Sequence, residues 1–526
     1  MSSRPSAYTS LIAASLLVIY LVNGLISIPR YSITYDEGGH LDFGIRMLKG
    51  STQRTDRQEF NSKMPVSALN ALPRAVEQLL HPGLKKSDDG LSDIMHGRYV
   101  TLFISLLIGV FVFKWARELY GEHAALFSLF LFSFCPNGLA QAVLVLTDTY
   151  SVLALLLVMY YFWRWRTHGR TRDFLLFCLF TGIAQLVKQS LFHLYLIIPC
   201  ILLIQYLASE DRRIPWRKTL INTGLFAFIN LLVINAGFYF QGFGTPLGAY
   251  PFMSPLFKGL QQQLSIFSGI PMPLPRSFVE GLDMAKYYDH LGGGLSQSMY
   301  GKITLLGQSR VQGTFWYYYF VICFFKTPIP VLLCIAWATA KLVRQSAARQ
   351  VARNELFLLL PVAYFFILMS FFYKSQTNIR QIIFIYPLLY IFCGILVRGV
   401  MAARERWLLT GLSLWYLISV GSYFGNYIPY TNEFIRDKKL AYRTVGAENL
   451  NMGQGGYFLQ DYLAAHPDVT MATPTPHAGR QAIAIHDLLD IWSTHRYDWL
   501  KPFTPVGHIA HYYLIFDITP DEINQQ

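Results

Sequence analysis

The sequence predicts an all-α polytopic membrane bundle of about eleven transmembrane helices, with outer-face loops and a small C-terminal α/β extracytoplasmic domain. Three observations carry that prediction. Of 526 residues, 53% are hydrophobic and only 14% charged, whereas soluble domains are about a quarter charged. The apolar residues come in blocks near the length of about 20 residues that a helix needs to cross hydrocarbon. The basic residues gather in the short loops between those blocks. In lipid, backbone N–H and C=O groups must be satisfied within the segment, so a helical bundle follows.

The blocks fall at roughly 10–29, 98–114, 124–136, 142–163, 174–188, 190–208, 219–239, 314–340, 356–373, 380–397 and 408–426. The first, Leu11 to Ile28, could pass for a secretory leader. No small-residue cleavage site follows it, so it is read as a retained helix. Four loops set the orientation: Arg164, Arg166, Arg170 and Arg172; Arg212, Arg213, Arg217 and Lys218; Lys341, Arg344, Arg349 and Arg353; Arg398, Arg404 and Arg406. All four fall on one side, which is cytoplasmic by the positive-inside rule. The formal net charge of +13 therefore orients the chain and does not point to nucleic acid. The cysteines, Cys135, Cys178, Cys200, Cys323, Cys334 and Cys393, show no CxxC or zinc spacing and read as small core residues.

Three polar segments then lie outside: 30–97, 240–313 and the tail from about 427 to 526. Residues 1–427 are read as the membrane module and 428–526 as the extracytoplasmic domain. The first loop reads as short amphipathic helices, such as Gly39 to Lys49. The second is punctuated by Gly242 to Pro255, Pro271 to Pro275 and Gly292 to Gly294, which predicts a long structured loop. The run Tyr512 to Ile518 predicts a strand.

Chemistry concentrates at the outer level. In Thr34-Tyr35-Asp36-Glu37-Gly38-Gly39-His40, two acids stand directly after the first span. A carboxylate there can serve as a general base, or it can cap the helix that follows. Lys63, Asp148, Lys188 and Arg380 fall at the same level. Charges near the membrane interior are costly and usually mark function. Asp148 and Lys188 could instead pair to hold helices together, and Lys63 and Arg380 could be surface charges. As a set, the cations would bind a phosphate headgroup and the carboxylate would deprotonate an acceptor. No Walker loop or GxGxxG run points to a soluble nucleotide. His508 and His511, at i and i+3 on a strand, would face opposite ways, so they are not expected to share a metal. Gly453-Gln454-Gly455-Gly456 reads as a flexible turn.

Tyr35-Asp36-Glu37-Gly38-Gly39-His40-Leu41, followed by Gly44-Ile45-Arg46-Met47-Leu48, resembles the first outer loop of the GT-C glycosyltransferases. It is most similar to bacterial relatives of the dolichyl-phosphate-mannose protein mannosyltransferases (glycosyltransferase family 39) and to the ArnT aminoarabinose transferases. The resemblance continues, in order, at Lys63-Met64-Pro65, Gly97-Arg98-Tyr99, Thr147-Asp148-Thr149 and Gly182 through Lys188. It runs on through Phe315-Trp316-Tyr317-Tyr318, Lys326-Thr327-Pro328, Asn378-Ile379-Arg380 to Tyr386-Pro387, Asn449 to Asp461 and Trp499 to Ile518. Met64 stands where a proline is usual, and Asn449 to Asp461 lacks the family's tryptophan.

The resemblance implies an inverting glycosyltransferase. Its donor would be a polyprenyl-phosphate sugar and its acceptor an extracytoplasmic protein, lipid or glycan. Asp36 would be the catalytic base and Glu37 a neighbour orienting acceptor or donor. Lys63, Lys188 and Arg380 would contact the donor phosphate, and Asp148 would hold the acceptor or a cation. Some family members use a divalent cation, which Asp36, Glu37 and Asp148 could hold. The expected place is a bacterial inner membrane, with the site facing the periplasm. Two other readings stay open: a polysaccharide polymerase or ligase using a lipid diphosphate, and a secondary transporter.

Overall fold

A computed structural model of the protein describes residues 5–53, 63–81, 90–210, 215–292, 302–311, 313–345 and 348–524. Arg212, Arg213, Gly293 and Gly294 lie outside the described residues.

Helix α1 (Ala7–Ser27) starts where Ser6 Oγ accepts from Thr9 N at 3.1 Å, satisfying one of the open first-turn donors. The first polar segment holds the short helices α2 (Glu37–Leu48) and α3 (Ser67–Leu80). The next helix, α4 (Leu91–Tyr120), is longer than its apolar block, running from Leu91 until Gly121 stops it at φ 97°. Then come α5 (Glu122–Ser133), the short α6 (Pro136–Gln141), α7 (Asp148–His168), α8 (Thr171–Ala184), α9 (Leu194–Leu207) and α10 (Trp216–Gly237). The described part of the second polar segment holds α11 (Pro255–Gln263), α12 (Arg276–Leu291) and the hairpin β1 (Lys302–Leu305)–β2 (Gln308–Val311).

The apolar stretch at 314–340 is not one straight span. It forms α13 (Tyr318–Lys326) and α14 (Ile329–Gln345), bent by 113° between them. Pro328 is the cause: it lacks an N–H and forces the preceding Thr327 into extended backbone (φ −98°, ψ 132°). After α15 (Leu356–Ile367), the stretch at 380–397 is a composite. A 3-10 turn (Ile379–Ile385) leads into α16 (Tyr386–Cys393), and α17 (Ala403–Gly421) follows. Among the described residues, five helices are long and apolar enough to cross a membrane, and six if the bent pair counts as one span. Several other expected spans are short: α5 has 12 residues and α8 has 14.

The tail carries α18 (Gly456–Ala465) and a four-stranded sheet. Its strands are β3 (Val469–Met471), β4 (Gly479–Ala484), β5 (Gly507–Ile509) and β6 (Tyr513–Ile518), in the order β3-β4-β6-β5. The period of two divides β6 between two cores. Leu514, Phe516 and Ile518 join the core of the helical bundle, while Ile515 packs with Val469, Ala482 and Ile509 under Phe458 and Tyr462 of α18.

One expectation is corrected here. His508 and His511 face each other, with ring centroids 4.2 Å apart. They flank a turn between β5 and β6, where Ala510 (φ 50°) and His511 (φ 73°) leave the extended region, so strand alternation does not apply.

Candidate functional site

The segment between α1 and α2 brings Asp36 to the start of α2. Asp36 occupies the N-cap position but makes no capping hydrogen bond with its side chain. Instead its Oδ2 accepts from Arg380 Nη2 at 2.7 Å, an ion pair joining residues 344 apart in the sequence. The Asp36 side chain is 35% exposed. Burial raises its pKa, but the charges of Arg380 and Lys63, with the hydrogen bond from Arg380, outweigh that and hold it down at about 2.

Glu37 points the other way, and both it and Arg98 of α4 have fully enclosed side chains, 0% exposed. Glu37 Oε1 accepts from Arg98 Nε at 2.8 Å and Val145 N at 3.0 Å; Oε2 accepts from Arg98 Nη2 at 2.6 Å and Thr34 N at 2.9 Å. The expectation that Glu37 orients a substrate is therefore not met. Its four acceptor sites are spent on the protein, and it shapes the loop that carries Asp36. Arg98 completes that loop by donating from Nη1 to Tyr31 O (2.7 Å) and from Nη2 to Ser32 O (2.8 Å). The loop's fold thus rests on a residue outside the expected site. A signal was present: an arginine opening an apolar block needs a strong reason to be there.

Lys63 is buried at the start of the segment leading to α3. It lies against Gly39, where a Cβ would meet Lys63 Cε at 3.0 Å and Nζ at 3.3 Å. A side chain at position 39 would push the ammonium back from α2 by a few tenths of an ångström. Lys188, in extended backbone after α8, pairs with Asp148 at the start of α7, Nζ to Oδ1 2.6 Å. His40 lies among these groups. Burial first, then Lys63, lowers its pKa well below the ordinary range, so the imidazole is neutral. Its Nδ1 is 3.4 Å from Ser67 Oγ. The structure thus gathers Asp36, Lys63, His40 and Arg380, with the Asp148–Lys188 pair within electrostatic reach.

The tail holds this cluster together. Ser32 N donates to Gln454 O (3.1 Å) and Tyr35 N to Met452 O (3.0 Å), tying down the Asp36 arm. On the other side, Asn378 Nδ2 donates to Glu448 O (2.6 Å) and Ile379 N to Asn449 Oδ1 (3.0 Å), tying down the Arg380 arm. Lys326 Nζ donates to Ile428 O and Asn449 O, each at 2.7 Å. The Gly453–Gly456 run is part of this clamp, where a free turn was expected. Gly455 packs so tightly that a Cβ would lie 1.7 Å from Tyr512 Cε2.

As a divalent-metal site, Asp36, Glu37 and Asp148 do not fit. Each is neutralised by its own cation: Arg380, Arg98 and Lys188 respectively. Among the described residues the cluster sets the cations Lys63, Lys188 and Arg380 against the carboxylates Asp36 and Asp148.

Residues 92–236 match the family described as dolichyl-phosphate-mannose-protein mannosyltransferase. Over that stretch the expected resemblance to GT-C glycosyltransferases is borne out. It includes Arg98, Asp148 and Lys188; Asp36, Lys63 and Arg380 lie beyond it. No curated protein sequence matches the chain. Among solved structures, the chain is similar to ArnT from Cupriavidus metallidurans bound to undecaprenyl phosphate. The TM-score is 0.49 at 12% identity, covering 97% of this chain and 98% of that one. It is also similar to the oligosaccharyltransferase AglB from Archaeoglobus fulgidus in complex with an inhibitory peptide and a dolichol-phosphate. There the TM-score is 0.47 at 13% identity, covering 87% of this chain and 60% of that one.

Proposed function

We propose that the protein is a membrane glycosyltransferase that moves a sugar from a polyprenyl-phosphate donor to an extracytoplasmic acceptor, inverting the anomeric centre. The observation that carries this reading is the Asp36–Arg380 ion pair with Lys63 beside it. A base and a phosphate-binding cation stand side by side directly after the first apolar helix, where a lipid-borne headgroup would arrive.

In this reading the donor phosphate engages Arg380 and Lys63, with Lys188 held ready by Asp148. The acceptor's hydroxyl or amine attacks the anomeric carbon. The bond from that carbon to the phosphate oxygen breaks, and the electron pair leaves with the polyprenyl phosphate. Asp36 takes the acceptor's proton. While paired with Arg380, Asp36 is a poor base; drawing the guanidinium toward the phosphate raises its basicity when the donor is in place. The cations stabilise charge growing on the leaving phosphate, and such preorganised donors are worth on the order of 10²–10³ in rate. The charge bias of the loops supports a site on the extracytoplasmic face of a cell membrane, the bacterial inner membrane in this reading.

The test is transfer from a panel of radiolabelled polyprenyl-phosphate sugars by the purified full chain. The wild type should release polyprenyl phosphate with at least one donor, and Asp36→Asn should be slower by about 10²–10³. Equal rates in the two proteins would overturn the reading. Activity only with lipid diphosphates would move it to a polymerase or ligase.

A further inference from the structure

Between Gly237 and Arg276 the chain carries a single charge, Lys258, in a stretch rich in Phe, Leu, Ile and Pro. Surfaces that face water carry interspersed charges, and an exposed apolar surface marks an interaction. This stretch is exposed and yet held in place. Phe240, Phe243, Leu256, Leu260, Ile266 and Phe267 all face outward, Ile266 with 86% exposure. Its two arms are laced together by the backbone: Gly244 N donates to Met272 O (3.0 Å), Leu247 N to Ile270 O (3.1 Å) and Gly248 N to Ser268 O (2.8 Å).

The sides of α11 differ in kind. Leu256, Leu260 and Leu264 recur every four residues, so they share one side, and all three are exposed. The adjoining side is anchored to the protein. Phe257 packs on Phe252 with ring centroids 5.2 Å apart, and Gln261 Nε2 donates to Leu247 O (2.9 Å) and Tyr250 O (3.0 Å). By the helical period, the side opposite the leucines carries Lys258 and Gln262, both exposed. An apolar side, a polar side opposite and a fixed flank are the build of a helix lying flat at a membrane surface. The exposed apolar surface also continues along the chain from α10, which is long and apolar enough to cross a membrane. Phe228 and Leu232 of α10 are exposed, and Tyr239 and Phe243 follow at its end. The base of the stretch is fixed to the candidate site. Tyr239 OH donates to Met47 O of α2 at 2.7 Å. Phe238 and Phe278 share a core with Met64, which follows Lys63, and Leu186, two residues before Lys188, packs against it.

We propose that residues 239–270 are seated in the bilayer leaflet on the Asp36 side, with lipid covering the leucine side of α11 and the Ile266–Phe267 tip. The seat sets the height of the candidate site against the membrane surface. Bilayer lipid is the occupant for two reasons: the surface runs on from a span, and its apolar side offers no charge to a soluble partner. Lys258 then reaches toward the headgroups while the leucines point into the acyl chains. The inference needs only that the chain spans a membrane, and it stands or falls apart from the reaction proposed above.

The test is site-directed spin labelling of the full chain in phosphatidylcholine nanodiscs. The background carries Cys200→Ser and Cys323→Ser, which removes the two cysteines that are not buried. Labels are placed singly at Lys258→Cys, Leu260→Cys and Ile266→Cys, with Leu232→Cys on α10 as the reference inside the membrane. These four side chains are exposed, so a label displaces no packing. Collision rates are compared for oxygen, which concentrates in hydrocarbon, and for a water-soluble nickel chelate. Labels at 260 and 266 should favour oxygen, as at 232, and lie about 5–10 Å into the boundary between headgroups and acyl chains. The label at 258 should favour the nickel chelate. A preference for nickel at 260 and 266 would overturn the proposal, because the stretch would stand in water. Weak collision with both reagents there would also overturn it, because protein, such as a second copy of the chain, would cover the surface. An oxygen preference at 258 equal to that at 266 would overturn the flat seating of α11.

Discussion

At the residue scale, two adjacent acids have opposite environments and therefore different work. Asp36 and Glu37 were indistinguishable as a pair in the sequence. The structure separates them, because a turn at the start of α2 sends one carboxylate to Arg380 and the other into the protein against Arg98. Asp36 has a folded pKa lowered from 3.8 to about 2. The sign follows from linkage: its ion pair adds stability that is complete above the unfolded value and is lost as pH falls toward the folded one. The site should therefore keep its charge arrangement between pH 5 and pH 8. Asp36 also competes with any phosphate for Arg380. Asp36→Asn removes that competitor, so the variant slowed in sugar transfer should bind undecaprenyl methyl phosphate, a phosphodiester of constant single charge, more tightly than wild type. Titration of both proteins at pH 7 decides this. Weaker binding by the variant would mean that the carboxylate supports the anion site and does not guard it.

At the element scale, what the sequence made legible was what depends on local pattern. Length, apolarity and loop charge are local, so α1, α4, α9 and α10 lie close to the expected spans, and α2 and β6 close to the expected amphipathic run and strand. The bend at Pro328 was legible in principle, since a proline inside an apolar block is a local signal. The clamp was not, because its partners are distant in sequence, from 70 residues apart for Asn378 and Glu448 to 421 for Ser32 and Gly453. The glycines at 453–456 looked like turn residues, and their packing against Tyr512 and Ser32 is visible only in three dimensions. From that packing comes a prediction. Gly455→Ala places a methyl group inside the Tyr512 ring, and overpacking of a tight site typically costs about 1–3 kcal/mol. The variant should melt lower than wild type and lose binding of undecaprenyl methyl phosphate, because the clamp carries both the Asp36 and the Arg380 arms. Adding Tyr512→Ala should restore part of the binding by making room for the methyl. A Gly455→Ala protein with wild-type melting and binding would show that the clamp does not set the site.

At the scale of the whole molecule, the boundary drawn at residue 427 separates an apolar module from a polar tail by composition, yet the contacts cross it. The inner face of β6 is part of the bundle's core. Lys326, buried at the bend between α13 and α14, has Ile428 O and Asn449 O as its hydrogen-bond acceptors, both beyond that boundary. A chain ending at 427 would leave that amine enclosed without them, and a buried donor left unsatisfied costs about 1–3 kcal/mol, more where it is charged. It would also free the Ser32–Tyr35 segment and the Asn378–Ile379 segment from the residues that hold them in register. The truncated chain should therefore behave as a damaged bundle, with a lower melting temperature in nanodiscs and no measurable binding of undecaprenyl methyl phosphate. Supplying residues 428–526 as a separate polypeptide should not restore binding, because the buried contacts form as the two parts fold together. Wild-type melting and binding by the truncated chain would establish the opposite: a self-sufficient membrane module, with the tail an appendage placed against it.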